Sequence, residues 1–131
     1  MMIKIGECFI DPKEIWFKTD IHLEAGKTYR FLTVGKWKDL DIECGPDSYD
    51  VKTLDLIRQP VFRQFESFRP LDTGDIWFSL IGKINDLTPF QIGSESTFTP
   101  TESGYLVCAP NDLPLMHWNN SGSLKIEVFE I

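Results

Sequence analysis

Clusters of turn-forming residues break this chain before any run grows long enough for an ordinary helix. GPDSYD stands at 45–50, RPLDTGD at 69–75, NDLTP at 85–89 and NDLP at 111–114. The runs between them are short and rich in β-branched and aromatic residues, which suits pleated, half-buried surfaces. Residues 2–10 (MIKIGECFI), 14–19 (EIWFKT), 29–33 (YRFLT), 76–84 (IWFSLIGKI), 104–109 (GYLVCA) and 123–131 (SLKIEVFEI) read as strands. The last sets Leu124, Ile126 and Val128 against Lys125 and Glu127, as one buried and one solvated face require. Ala25-Gly26-Lys27 is a turn, and Gly6 marks a bulge or a close approach of backbone. Only 51–68 (VKTLDLIRQPVFRQFESF) has a helical pattern, and Pro60 interrupts it. We read it as a long connection with one short helix at most. The pattern predicts an all-β sandwich or barrel, one domain over 1–131.

At 131 residues such a domain buries roughly two-thirds of its unfolded surface and needs no metal or disulfide merely to fold. Its 42% hydrophobic and 25% charged residues exclude disorder, collagen and coiled coil. Acidic residues outnumber basic ones 20 to 13, for a net charge of −7. That balance opposes nucleic acid and anionic membrane surfaces, which demand Lys and Arg. It admits a divalent cation, a neutral ligand or a basic protein partner, and solubility alone also accounts for it. No window approaches the ~20 apolar residues of a membrane span. The start, MMIKIGECFID, has no apolar signal-peptide region. Cysteines at 8, 44 and 108 are odd in number, widely spaced and without CxxC. They suit a reducing cytoplasm, with release by a route lacking a cleaved signal left open.

The stretch from Asn111 to Ser123 is the most informative. It holds three of the chain's four Asn, with Asp112 and Gly122, between two convincing strands. A hard cation such as Ca²⁺ takes six to eight oxygens from carboxylates, amide carbonyls, backbone and water. A loop that leaves with Asp112 and returns with Asn119-Asn120 can bring three such side chains to one point. The same residues also serve an ordinary long hairpin loop.

Nucleophilic chemistry has only Cys108, His117 and Asp112 to draw on, and Cys108 reads as a buried strand residue. The acid pairs Asp39/Asp41 and Asp72/Asp75 fall in turn-like segments and read as solvated. With no phosphate loop, HExxH or GxSxG, the chain reads as a non-enzyme.

ND-x-P-x(4)-NNSGS followed by an alternating last strand resembles the end of the LecA (PA-IL) family, the bacterial galactose-binding lectins. Gly6-Glu7, Ala25-Gly26-Lys27, Gly35-Lys36-Trp37, Gly45-Pro46 and Leu80-Ile81-Gly82-Lys83-Ile84 fall in the order of that family's landmarks. The resemblance implies a jelly-roll β-sandwich, galactose-binding-domain-like, holding one Ca²⁺. Its ligands would be the side chains of Asp112, Asn119 and Asn120 and the backbone carbonyls of Met116 and Leu40. Sugar hydroxyls would then coordinate the ion, with Asp112 and Asn119 also bonding them. The ligand implied is a galactoside-like carbohydrate, and homo-oligomerisation is left open. Where the family has small residues, this chain has Leu115, Met116, His117 and Trp118. Trp118, with His117 beside it, offers a platform for a sugar ring. The alternative is that Trp118 covers the mouth of the sandwich and His117 is a solvated loop residue. The 47–75 stretch is longer than its counterpart and lacks the family's sugar-contacting His. We expect it to pack beside the ion site, opposite Trp118. The rival class is a small acidic inhibitor or immunity-type protein that binds a basic partner. Its contact surface would be 47–75, with Phe62, Phe65 and Phe68 near Arg58, Arg63 and Arg69.

Overall fold

The computed structural model describes residues 2–40, 42–48, 65–71 and 77–131. Nine strands carry them: β1 (Ile3–Ile10), β2 (Phe17–Leu23), β3 (Tyr29–Asp39), β4 (Ile42–Cys44), β5 (Leu80–Ile84), β6 (Phe90–Gln91), β7 (Glu95–Phe98), β8 (Gly104–Pro110) and β9 (Asn120–Glu130). The helical content among the described residues is two 3-10 segments, Glu66–Phe68 and Pro114–Asn119. Apart from Glu66–Phe68 and its neighbours, the helix expected within 51–68 lies outside the described residues.

The strands form two antiparallel sheets. One runs β1-β9-β3-β4, with β7 beside the first half of β3; the other runs β2-β8-β5-β6. The chain changes sheet from β1 to β2, from β2 to β3 and from β8 to β9, so consecutive strands face one another across the core. This is the expected β-sandwich. The inward side chains of both sheets, among them Ile10, Leu23, Phe31, Trp37, Leu80, Leu106, Leu124, Ile126 and Val128, form one apolar cluster. Their alternation along β3 and β9 gives each strand one buried face. Gly6 meets both expectations. The β1–β9 register shifts between Lys4 and Gly6, and a Cβ there would stand 3.0 Å from Ile21 Cγ1 on the facing sheet.

The β3–β9 ladder positions the site. It runs in unbroken register from Tyr29↔Glu130 to Asp39↔Asn120. The run expected to end at Thr33 therefore continues six residues further, through Gly35 at φ 114 and two lysines, Lys36 and Lys38, that hide its strand character. Conversely, of the apolar run at 76–84 the described part becomes a strand only from Leu80. Phe78 adopts φ 62 and donates its N–H to the Asn111 carbonyl at 2.9 Å, so Trp77 and Phe78 are buried as a turn. The segment after Asn111 is not a hairpin loop. β8 and β9 belong to different sheets, so the segment carries the chain across the open end of the sandwich, and Asn120 already pairs in β9.

Candidate functional site

That crossing carries the three oxygen-bearing side chains singled out above, Asp112 where it leaves β8 and Asn119 and Asn120 where it enters β9. Asp112 is 3% exposed and Asn120 1%, while Asn119 is half-buried. Asp112 Oδ1 accepts the Leu113 N–H at 2.8 Å. The Asn120 side-chain amide donates to the Pro12 carbonyl at 2.9 Å. The remaining oxygens, Asp112 Oδ2, Asn119 Oδ1 and Asn120 Oδ1, are all buried without a hydrogen-bond partner among the described residues. A buried acceptor left unsatisfied costs about 1–3 kcal/mol, so three from one short segment are candidates to meet a ligand or ordered water. Burial raises the Asp112 carboxyl from an ordinary 3.8 to about 6. The Leu113 N–H and the neighbouring Asn120 amide pull weakly the other way. Among the described residues Asp112 is therefore a carboxylate without a counter-charge, the condition in which a cation is most welcome.

Leu40 and Met116 are each tied by backbone to this segment. Leu40 takes the left-handed conformation, φ 56, as the chain leaves β3, and its N–H donates to the Asn119 carbonyl at 3.2 Å. Met116 sits in the 3-10 segment, its N–H bonded to the Leu113 carbonyl at 2.9 Å. Asp39, expected on a solvated face, is 8% exposed. The ladder register makes it the cross-strand neighbour of Asn120, and the strand alternation turns it inward beside Trp37. Asp41, Asp72 and Asp75 lie outside the described residues. Among the described residues no three His, Cys, Asp or Glu side chains converge; the oxygens gathered here come from one Asp and two Asn.

The two residues expected to share one role part company. Trp118 is 71% exposed and covers no sandwich mouth. His117 is 3% exposed, and its Nδ1 lies 3.1 Å from the Glu14 carbonyl. It is not a solvated loop residue, because the 3-10 segment turns it into the protein as it turns Trp118 out. Sequence reasoning also missed Pro12 and Glu14. Their carbonyls, in the β1–β2 connection, hold Asn120 and His117, and a backbone acceptor leaves no mark in side-chain pattern.

Asn111 proves structural. It is buried, accepts the Leu71 N–H at 3.0 Å through Oδ1 and donates to the Leu71 carbonyl at 2.8 Å through Nδ2. The C-terminal end of the long connection is thereby clasped beside Asp112. The rest of the expected packing, including Arg58, Phe62 and Arg63, lies outside the described residues. Arg69, placed on a contact surface by the inhibitor reading, is instead buried with its guanidinium 4.8 Å from the Trp77 ring centre. Cys108 is buried mid-strand, and burial drives its thiol well above the usual range, away from the nucleophilic thiolate.

No family model and no curated protein matches the chain. Among solved structures, one described as "EclA N-terminal domain; PllA-like lectin" matches over 98% of each chain with a TM-score of 0.72 and 15% sequence identity. The likeness is one of architecture: this chain folds as the β-sandwich of a PllA-like lectin.

Proposed function

We propose that this chain is a calcium-dependent carbohydrate-binding protein, a lectin for galactose-type sugars. The observation that carries the reading is the set of three buried, unpartnered oxygens on Asp112, Asn119 and Asn120. Ca²⁺ is the ligand whose chemistry matches them, because it takes several neutral and anionic oxygens at once and supplies charge for the Asp112 carboxylate. The backbone carbonyls of Met116 and Leu40 would supply further oxygens. The ion, when bound, polarises vicinal sugar hydroxyls that occupy its open positions. Asp112 and Asn119 orient those hydroxyls, and the exposed Trp118 offers an apolar face to the ring. The shared sandwich with a PllA-like lectin supports this reading.

Thermal melts in millimolar Ca²⁺ and in EDTA test it first. An ion that binds only the folded protein adds about 2.7 kcal/mol at a hundredfold excess over Kd, and Asp112→Ala should remove the shift. Calorimetry with galactosides follows. Binding must vanish in EDTA, and sugar binding that survives chelation would sink the proposed mechanism.

A further inference from the structure

His117 stands where its side chain can govern the ion site without touching an ion. It is buried, and its Nδ1 is 3.1 Å from the Glu14 carbonyl. A carbonyl only accepts, so Nδ1 carries the proton and the ring is a donor to the β1–β2 connection. The same connection, two residues earlier, offers the Pro12 carbonyl that holds the Asn120 amide at 2.9 Å. The His117 carbonyl in turn accepts the Asn120 backbone N–H. Residue 117 is therefore tied to Asn120 from two directions: through its own backbone, and through the Pro12–Glu14 stretch that both side chains grip. The backbone of Asp112 also passes close to the ring.

We propose that His117 is the positioning residue of the candidate cation site. It pins the Pro114–Asn119 segment onto the β1–β2 connection, so that Asp112, Asn119 and Asn120 are held in place before any ion arrives. The proposal rests on the ion-binding reading above. Without the pin, the segment is free to rotate away from Pro12, and Asn120 Oδ1 is free to exchange places with its amide nitrogen. The cost of convergence is then borne at each binding event, which is how groups behind a metal's ligands influence affinity.

The test compares His117→Ala, His117→Asn and His117→Phe with wild type. Ca²⁺ affinity is read by calorimetry, bound water on Tb³⁺ in place of Ca²⁺ by emission lifetimes in H₂O and D₂O, and melting in EDTA. Asn sets an amide N–H where Nδ1 was; Phe fills the volume without a donor. His117→Ala should weaken Ca²⁺ by about 10–100-fold and add at least one water to bound Tb³⁺. His117→Asn should recover most of the affinity, and His117→Phe should not. Wild-type affinity in His117→Phe, or in a less stable His117→Ala, would overturn the proposal and leave the residue a packing group. Should His117→Ala fail to fold, the Asn and Phe variants still decide. Wild type that binds neither ion, or binds it unaltered by Asp112→Ala, would instead overturn the ion-site reading, and the positioning role with it.

Discussion

The side-chain amide of Asn120 donates to the carbonyl of Pro12 at 2.9 Å, joining the first residue of β9 to the β1–β2 connection. The bond settles which way the amide points. Its nitrogen faces a carbonyl that only accepts, and its oxygen is buried with no hydrogen-bond partner among the described residues. The register with β3 fixes the other coordinate, because Asn120 is the last rung opposite Asp39. A side chain whose donor is satisfied and whose acceptor is not is held in one orientation by the fold alone.

Asn120→Asp tests that arrangement with almost no change of shape. The donor to Pro12 becomes a second acceptor, and a carboxylate is buried against a carbonyl and near Asp112. Metal-free Asn120→Asp should be less stable than wild type by about 1–3 kcal/mol, read by denaturant unfolding in EDTA. Unchanged stability would mean that the Pro12 bond holds nothing in place.

Asp112 gives the metal-free protein a pH dependence of unusual sign. Burial raises its carboxyl from 3.8 to about 6, so between those values the folded state holds a proton the unfolded chain has released. The contribution to stability is complete below the unfolded value and is lost as pH rises through about 6, a difference on the order of 3 kcal/mol. His117 slopes the other way. Burial lowers its imidazole from 6.5, so its contribution is present above that value and lost as pH falls. The comparison with Asp112→Asn isolates the carboxyl. In EDTA, wild type should lose ground against the variant between about pH 4 and pH 7, and a constant gap would show that Asp112 ionises normally.

Much of this architecture was legible in the turn clusters and alternating runs. What escaped notice was made by pairing. β4, β6 and β7 are two to four residues long and exist because a neighbouring strand offers them a ladder. The second half of β3 carries lysines and a glycine that disguise a strand held in register by β9. In the site, Asp112, Asn119 and Asn120 were visible because oxygen chemistry resides in side chains. The supports were not: Pro12 and Glu14 act through backbone carbonyls over a hundred residues from their partners. Asp39 looked solvated because its buried face depends on strand length. The inversion of His117 and Trp118 follows from a single 3-10 segment, whose phase neighbouring residue types do not reveal.

Two glycines with nearly the same backbone angle should respond differently to a methyl group. Gly26, φ 84, sits in a turn with nothing within 4 Å of a Cβ, whereas at Gly122, φ 83, a Cβ would meet Trp37 Cα at 2.9 Å and the Lys36 carbonyl at 3.0 Å. Gly26→Ala bears only the left-handed conformation, about 1–2 kcal/mol. Gly122→Ala adds a collision with backbone that cannot yield without separating β9 from β3 two residues after Asn120. Its loss should exceed that of Gly26→Ala, with ion binding weakened as well. Equal losses would mean that the start of β9 has room to move.

Trp118 supplies the most direct separation of stability from recognition. Large aromatic side chains are mostly buried because they remove so much apolar area from water, yet this one is 71% exposed beside Asn119. Its removal therefore leaves no cavity, and Trp118→Ala should melt within about 0.5 kcal/mol of wild type. Ca²⁺ affinity should be unchanged, since the indole carries no ligand atom for the ion. Under the proposed function, galactoside binding should fall by an amount on the order of 1 kcal/mol, the scale of an aromatic stacking contact. The readout is calorimetry in saturating Ca²⁺ beside a melt of the same sample. Full galactoside affinity in Trp118→Ala would remove the indole from the binding face and leave Asp112 and Asn119 as the only direct contacts proposed.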